Sequence, residues 1–225
     1  MGTPTELIAV RHGESVANAA FAAAARDGRE DVGISDRDAD VALSAVGERQ
    51  AAALARWLAA RPVPPDLIAC SPYRRAQQTA NAVLDALTEA GARPALTVDE
   101  RLRDRELGVL EMLTLAAIVR RFPEEYERMR RQGQFYWRPA GGESMVDVAL
   151  RVRLFLSDLA REPAGRVLVI AHDAVVLMLR YVIEGLAEDD LADIAPVLNA
   201  AVTRWTLHDG RLRLVAYNDV GHLVA

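Results

Sequence analysis

The chain predicts an α/β fold of three layers: a mostly parallel sheet with an antiparallel edge strand, covered by helices on both faces. Two observations lead there. Short apolar runs alternate along the sequence with longer segments of helical periodicity, the pattern of a parallel sheet covered by its own crossover helices. The last two runs flank His208-Asp209-Gly210, where Asp-Gly is a turn signal, so they form a terminal hairpin at the sheet edge. With 225 residues, 51% of them hydrophobic, the chain can fill one sizeable core and reads as a single domain over 1–225.

A first strand is expected over 6–11, where Leu7-Ile8-Ala9-Val10 ends abruptly in Arg11-His12-Gly13. The helix after it, 14–26, contains an alanine-rich run from Ala19 to Ala25 that favours helix by intrinsic propensity. A helix over 44–61 precedes a strand over 66–70. Ser71-Pro72 then turns the chain into a helix over 73–90 that begins with Arg74 and Arg75. Arginines are unfavourable at the positive end of a helix dipole, which suggests that an anion compensates them. A strand over 95–98 and helices over 114–121, 124–132 and 144–162 follow. The run Val167-Leu168-Val169-Ile170-Ala171 gives a strand over 166–171 that ends in His172. The helix over 173–185 carries Leu177, Leu179, Tyr181 and Val182 at a spacing that reads as core, which leaves a homodimer open without requiring one. Strands over 202–208 and 211–217 make the hairpin, with His208 in its turn as a structural residue.

Bulk properties narrow the function classes. A net charge of −5 supplies no broad electrostatic footprint for nucleic acid or an anionic membrane surface, so any basic site must be local. The apolar stretches are too short to span a bilayer, and no basic cluster with a long apolar run marks a signal peptide. The one cysteine, Cys70, sits on an apolar strand and reads as a small buried hydrophobe; a reducing, cytoplasmic location is expected. The acidic stretch from Asp27 to Asp40 reads as a solvated loop, and no metal is assigned to it.

Three separated pieces point to one site. His12 and His172, two of only four histidines, each end an apolar strand, and ligands of open α/β sheets bind at the carboxyl ends of strands. Between them stands Ser71-Pro72-Tyr73-Arg74-Arg75-Ala76-Gln77-Gln78-Thr79-Ala80. An Arg-His pair facing a helix N-terminus makes a ready phosphate site. Together with Glu14 and Asn18, Leu43-Ser44-Ala45-Val46-Gly47, Gln50-Ala51 and Gly141-Gly142-Glu143-Ser144, these pieces resemble the histidine phosphatase superfamily, in its phosphoglycerate mutase-like branch, in order along nearly the whole chain.

The resemblance implies a metal-independent phosphomonoesterase, with no cofactor, acting on a small phosphorylated metabolite through a phosphohistidine. Hydrolysis of a phosphomonoester needs an in-line nucleophile, positive charge on the phosphoryl oxygens and a proton for the departing alcohol. A neutral imidazole can attack phosphorus, and cations packed around His12 disfavour its protonation, so His12 is the expected nucleophile. Arg11, Arg75 and His172 supply the charge, the resemblance adds Asn18 beside the phosphate, and Arg74 is left on the surface. Four residues before Gly108, where the family commonly has a glutamate, stands Asp104; it is the favoured proton donor, with Glu106 the near alternative. Its pKa should be raised by partial burial against the lowering effect of neighbouring arginines.

A small helical cap, about 113–143, is expected to lie over the pocket mouth and set the substrate. It carries Arg120, Arg121, Arg128, Arg130, Arg131 and Arg138 around Phe135, Tyr136 and Trp137. These arginines either pair with nearby acids such as Glu124, Glu125 and Glu127 or grip a second anionic group. No proline-rich run like that of true phosphoglycerate mutases occurs there, which favours hydrolysis over mutase-type transfer; a non-catalytic phosphate-binding domain is the remaining alternative. Two departures stand out. The stretch from Asn18 to Leu43 is long and lacks the family's Gln-Gly-x-x-Asp approach, and Asp173 follows His172 where glycine is more common. Asp173 is read as capping the helix that starts near Ala174.

Overall fold

In the computed structural model, which describes residues 2–161 and 165–224, the strands are β1 (Glu6–Arg11), β2 (Leu67–Cys70), β3 (Ala95–Val98), β4 (Arg166–Ala171), β5 (Val202–His208) and β6 (Arg211–Asp219). They form one sheet in the order β3-β2-β4-β1-β5-β6. β1, β2, β3 and β4 run parallel; β5 pairs antiparallel with both β1 and β6. His208 is the last residue of β5, and Asp209-Gly210 alone make the turn, so its expected place shifts by one residue.

The main helices are α1 (Val16–Asp27), α2 (Ala45–Ala59), α3 (Arg74–Glu89), α4 (Leu115–Arg121), α5 (Pro123–Tyr136), α6 (Met145–Leu159) and α7 (Asp173–Glu184). Most begin one or two residues later than expected because the first polar residue is a cap. Ser15, Ser44, Thr114 and Ser144 each accept a backbone N–H from the first turn. α2 ends at Ala59, short of 61, ahead of Pro62. α6 ends at Leu159, and the last residue of its expected span, Glu162, lies outside the described residues. α8 (Glu188–Ala192) was not expected, since five residues carry no periodic signal. No helix among the described residues is long and apolar enough to cross a membrane.

Alternation along the central strands separates two apolar layers. Leu7 and Ala9 of β1 and Val167 and Val169 of β4 pack with Val148, Val152, Val175 and Met178 of α6 and α7. Their neighbours Ile8, Val10, Leu168 and Ile170 face Leu54, Leu58, Val83 and Leu87 of α2 and α3. Strands buried on both faces therefore need no polar alternation, and their first polar residues fall where the sheet ends. Because β1, β4 and β2 are neighbours, His12, His172 and Ser71 emerge side by side: the His12 N–H bonds the Ala171 carbonyl at 2.9 Å, and the Ser71 N–H bonds Ile170 at 3.0 Å.

The turn after His12 is held against the start of α2. Ser44 donates its hydroxyl to Glu14 Oε1 at 2.6 Å, and Gln50 Oε1 accepts the Glu14 N–H at 2.8 Å. A Cβ built on Gly47 would stand 1.9 Å from the Glu14 carbonyl oxygen. Gly47→Ala must therefore push the His12–Glu14 turn away. We expect a loss of about 1–3 kcal/mol and a Tm several degrees lower, with reduced turnover, read by thermal denaturation and steady-state assay.

Candidate active site

His12 is buried at the end of β1, and its tautomer follows from its partners. Nδ1 lies 2.6 Å from the Gly13 carbonyl, which can only accept, so Nδ1 carries the proton. Nε2 accepts from Arg75 Nε at 3.1 Å, so its lone pair faces the guanidinium. Burial first, then the charges of His172, Arg75 and Arg11, push the imidazole pKa well below its ordinary value of 6.5. The chemical result is a neutral ring with a free nitrogen pointed at cations.

Arg75 lies in the first turn of α3, as the misplaced charge suggested. Its side chain is spanned by anions: NH1 and NH2 fork onto Asp38 Oδ1 and Oδ2 at 3.1 and 2.9 Å, and NH2 also reaches Asp104 Oδ2 at 2.9 Å. Asp38 is the principal residue that sequence reasoning missed. The segment from Asp27 to Asp40 was expected to be a solvated acidic loop, but the long insertion places Asp38 against Arg75, and Glu30 holds Arg120 and Arg121. One carboxylate among six in a short stretch gave no signal of its own.

The other expected residues converge. Arg11 donates from NH1 to the Val197 carbonyl at 2.6 Å, while its buried Nε has no partner among the described residues. Asn18, in the first turn of α1, accepts from the Ser15 N–H and from Asn199 Nδ2, both at 3.1 Å. Asn199, which also donates to the His12 carbonyl at 3.2 Å, is a second residue the sequence did not reveal. His172 sits 5.0 Å from His12 between ring centroids, with Nε2 2.8 Å from Ser71 Oγ. Its Nδ1 stands 3.1 Å from Asp104 Oδ2, an ion-pair distance without hydrogen-bond alignment.

Asp104 and Glu106 separate cleanly. Glu106 is half-exposed, faces Arg103 at 3.4 Å and does not line the cleft that holds Asp104. Asp104 is fixed by the loop below it, where the buried Arg151 bonds the Asp104 carbonyl at 3.0 Å and Glu143 at 3.0 Å. Glu143 of the Gly-Gly-Glu-Ser motif is thus a scaffold for the carboxylate loop. Burial would raise the Asp104 pKa, but the charges of His172, Arg75 and His12 outweigh it and hold the carboxyl well below the usual range. The expected elevation is overturned for the free enzyme because Arg75 NH2 and His172 Nδ1 both meet one oxygen, Asp104 Oδ2.

A cleft of about 520 Å³ opens over Arg11, Asn18, Arg75 and Asp104. Leu107, Glu111 and Met112 line it, and no residue of 113–143 does. Five of the cap arginines face acids: Arg120 and Arg121 on Glu30, Arg128 on Glu125, Arg130 on Glu127 and Arg138 on Asp147. Asp173 both lines the cleft and accepts the Ala174 N–H at 2.8 Å in the first turn of α7. Arg74 reaches only the Asp40 carbonyl at the surface.

A strand-end histidine with a fixed lone pair, two arginines and a second histidine define a phosphoryl-transfer site. The comparisons agree. The pattern of the histidine phosphatase superfamily (branch 1) matches residues 7–220, and the chain belongs to that superfamily as a phosphatase. It is 32% identical over 197 residues to a glucosyl-3-phosphoglycerate phosphatase of Mycobacterium tuberculosis, covering 81% of this chain and 83% of the relative. It is 34% identical over 185 residues to a probable phosphoglycerate mutase of Yersinia enterocolitica, covering 80% and 75%. The structure of a mycobacterial glucosyl-3-phosphoglycerate phosphatase in complex with VO3 superposes with a TM-score of 0.75 at 30% identity, covering 95% of this chain and 98% of that one.

Proposed function

We propose that the chain hydrolyses a small phosphomonoester through a phosphohistidine at His12 Nε2. The observation that carries this reading is the His12 ring itself: Nδ1 is bound to the Gly13 carbonyl, and the opposite nitrogen is aimed at Arg75. A phosphoryl group entering between His12 and Arg75 accepts hydrogen bonds from Arg75 Nε–H and NH2, with Arg11 and Asn18 on its remaining oxygens and His172 beside it. Asp104 takes the proton of the substrate monoanion on binding; the His12–P bond then forms as the ester P–O bond breaks, and the leaving alkoxide takes that proton from Asp104. Water then attacks phosphorus, gives its proton to Asp104, and the N–P bond breaks to release phosphate. Arginine and histidine charge does the work that metal does elsewhere.

Hydrolysis is favoured over mutase-type transfer by the outward pairing of the cap arginines, which leaves no cationic cluster there for a phosphoglycerate carboxylate. The free, buried Cys70, its thiol pushed up to about 12 by burial, suits a reducing cytoplasm. The test is an assay with chelator present on nitrophenyl phosphate, 3-phosphoglycerate and sugar and nucleotide phosphates, with mass spectrometry of quenched enzyme. Phosphate release with label on His12 is expected; isomerisation of 3-phosphoglycerate without net release would overturn the hydrolase reading.

Asp38 acts in this scheme as a positioning residue, since its fork fixes the end of the Arg75 guanidinium and turns the other edge to His12 and Asp104. Asp38→Ala should keep the fold and lower kcat/KM on nitrophenyl phosphate by up to about a hundredfold, the scale of a misplaced binding group. Unchanged kinetics would mean that Arg75 is held without it.

A further inference from the structure

Beside the phosphate cleft lies a second cavity of about 480 Å³. The two share Arg105, Met145 and Leu177, whose side chains form a common wall. Asp173, Ala174 and Leu177 follow one face of α7 away from His172, leading from the phosphate end to that boundary. Beyond it the walls are Phe135, Leu191 and Ala192, and the acids at the rim are Glu188 and Asp189.

Resting on the phosphatase reading above, we propose that this second cavity receives the leaving group, and that the substrate is the phosphomonoester of an extended, largely apolar alcohol without a second anion. Three features support it. The cavity is continuous in its lining with the phosphate site, so a group bonded to the phosphoryl oxygen is the natural occupant. The boundary is pliable, because Met145 is unbranched and can move aside without breaking regular structure. Arg105, the one cation at the boundary, is already committed: Nε bonds the Glu143 carbonyl at 2.8 Å, NH2 bonds the Trp137 carbonyl at 3.0 Å, and the guanidinium lies over the Trp137 ring. Asp173, Glu188 and Asp189 meanwhile repel an anionic tail.

The test is a series of n-alkyl phosphates from methyl to octyl, each below its micellar concentration, with 3-phosphoglycerate for comparison. Once the chain passes Met145, kcat/KM should climb about fourfold per methylene, the usual gain for burying one, and level off when the cavity is full. Leu191→Glu should flatten the climb and leave methyl phosphate within about twofold; Ala192→Trp, which plugs the same cavity, serves if the first variant does not fold. A flat series in the wild type, or 3-phosphoglycerate turned over faster than octyl phosphate, overturns the proposal. Should no ester turn over in folded protein, calorimetry with octyl and inorganic phosphate still decides: tighter binding of the octyl ester upholds the cavity assignment and sinks only the hydrolase reading, and equal binding sinks the cavity assignment.

Discussion

His12→Ala is expected to abolish turnover, lowering kcat by at least about four orders of magnitude, as loss of a nucleophile does in other covalent enzymes. The reason is local. The nitrogen that would bond phosphorus is held by an N–H···O contact from the same ring to Gly13 and by the Arg75 Nε–H on the other side, and alanine removes all of it. The fold should survive, since the turn remains tied through Glu14, Ser44 and Gln50; leaving Arg75 Nε unpaired costs about 1–3 kcal/mol. The pH dependence of that deficit has a definite sign. Because the folded His12 pKa lies well below 6.5, the unfolded chain binds more protons as pH falls below 6.5, and the wild-type protein loses stability there. The variant lacks this loss, so the stability gap should narrow between neutral pH and pH 5. Denaturant midpoints across that range check the sign; a gap that widens in acid would mean that His12 is charged in the native state. Turnover in a folded variant within about tenfold of wild type would remove His12 as the nucleophile.

The sheet was legible because its central strands are buried on both faces: uninterrupted apolar residues from Leu7 to Val10 and Val167 to Ala171 stop where Arg11 and His172 begin, and the stop is the site. The sequence motifs beyond His12, Arg75 and His172 turn out to be mostly scaffold. Ser44, Gly47 and Gln50 hold the Glu14 turn, Gln78 Oε1 accepts the Leu43 N–H at 2.8 Å, and Thr79 Oγ1 receives the Gly13 N–H at 3.2 Å. What could not be read were residues brought in by irregular chain. Asp38 comes from a loop whose path no periodicity encodes, and Asn199 from the approach to β5, where a lone asparagine resembles any turn residue. The direction of the cap arginines stayed open for a related reason. They were visible, but the acids they face include Glu30 and Asp147 on other segments, so their direction depended on tertiary packing.

Asp104→Asn should separate substrates by leaving group: kcat/KM on an alkyl phosphate should fall about a hundredfold or more, while nitrophenyl phosphate, whose phenolate departs without a proton, should lose less than about tenfold. The low pKa of Asp104 contradicts a donor only until its causes are separated. His172 and Arg75 hold the carboxyl ionised in the free enzyme, and Arg75 NH2 is the atom a phosphoryl oxygen must engage. Engagement withdraws that proton from Asp104 and sets a negative phosphoryl group beside it, and both changes raise the carboxyl pKa. The substrate monoanion then supplies the proton that Asp104 later hands to the alcohol. In the proposed scheme the acid is therefore made by binding, and for alkyl esters the alkaline fall of kcat should disappear in Asp104→Asn. Stability gives an independent check, since a depressed carboxyl stabilises the fold above its unfolded pKa, about 3.9, and that contribution fades as pH falls further. The wild-type advantage over Asp104→Asn should accordingly hold from pH 7 to about 5 and shrink below about 4. Equal losses on alkyl and nitrophenyl esters would instead assign Asp104 to holding Arg75 and His172, and the alcohol would have to take its proton from another group.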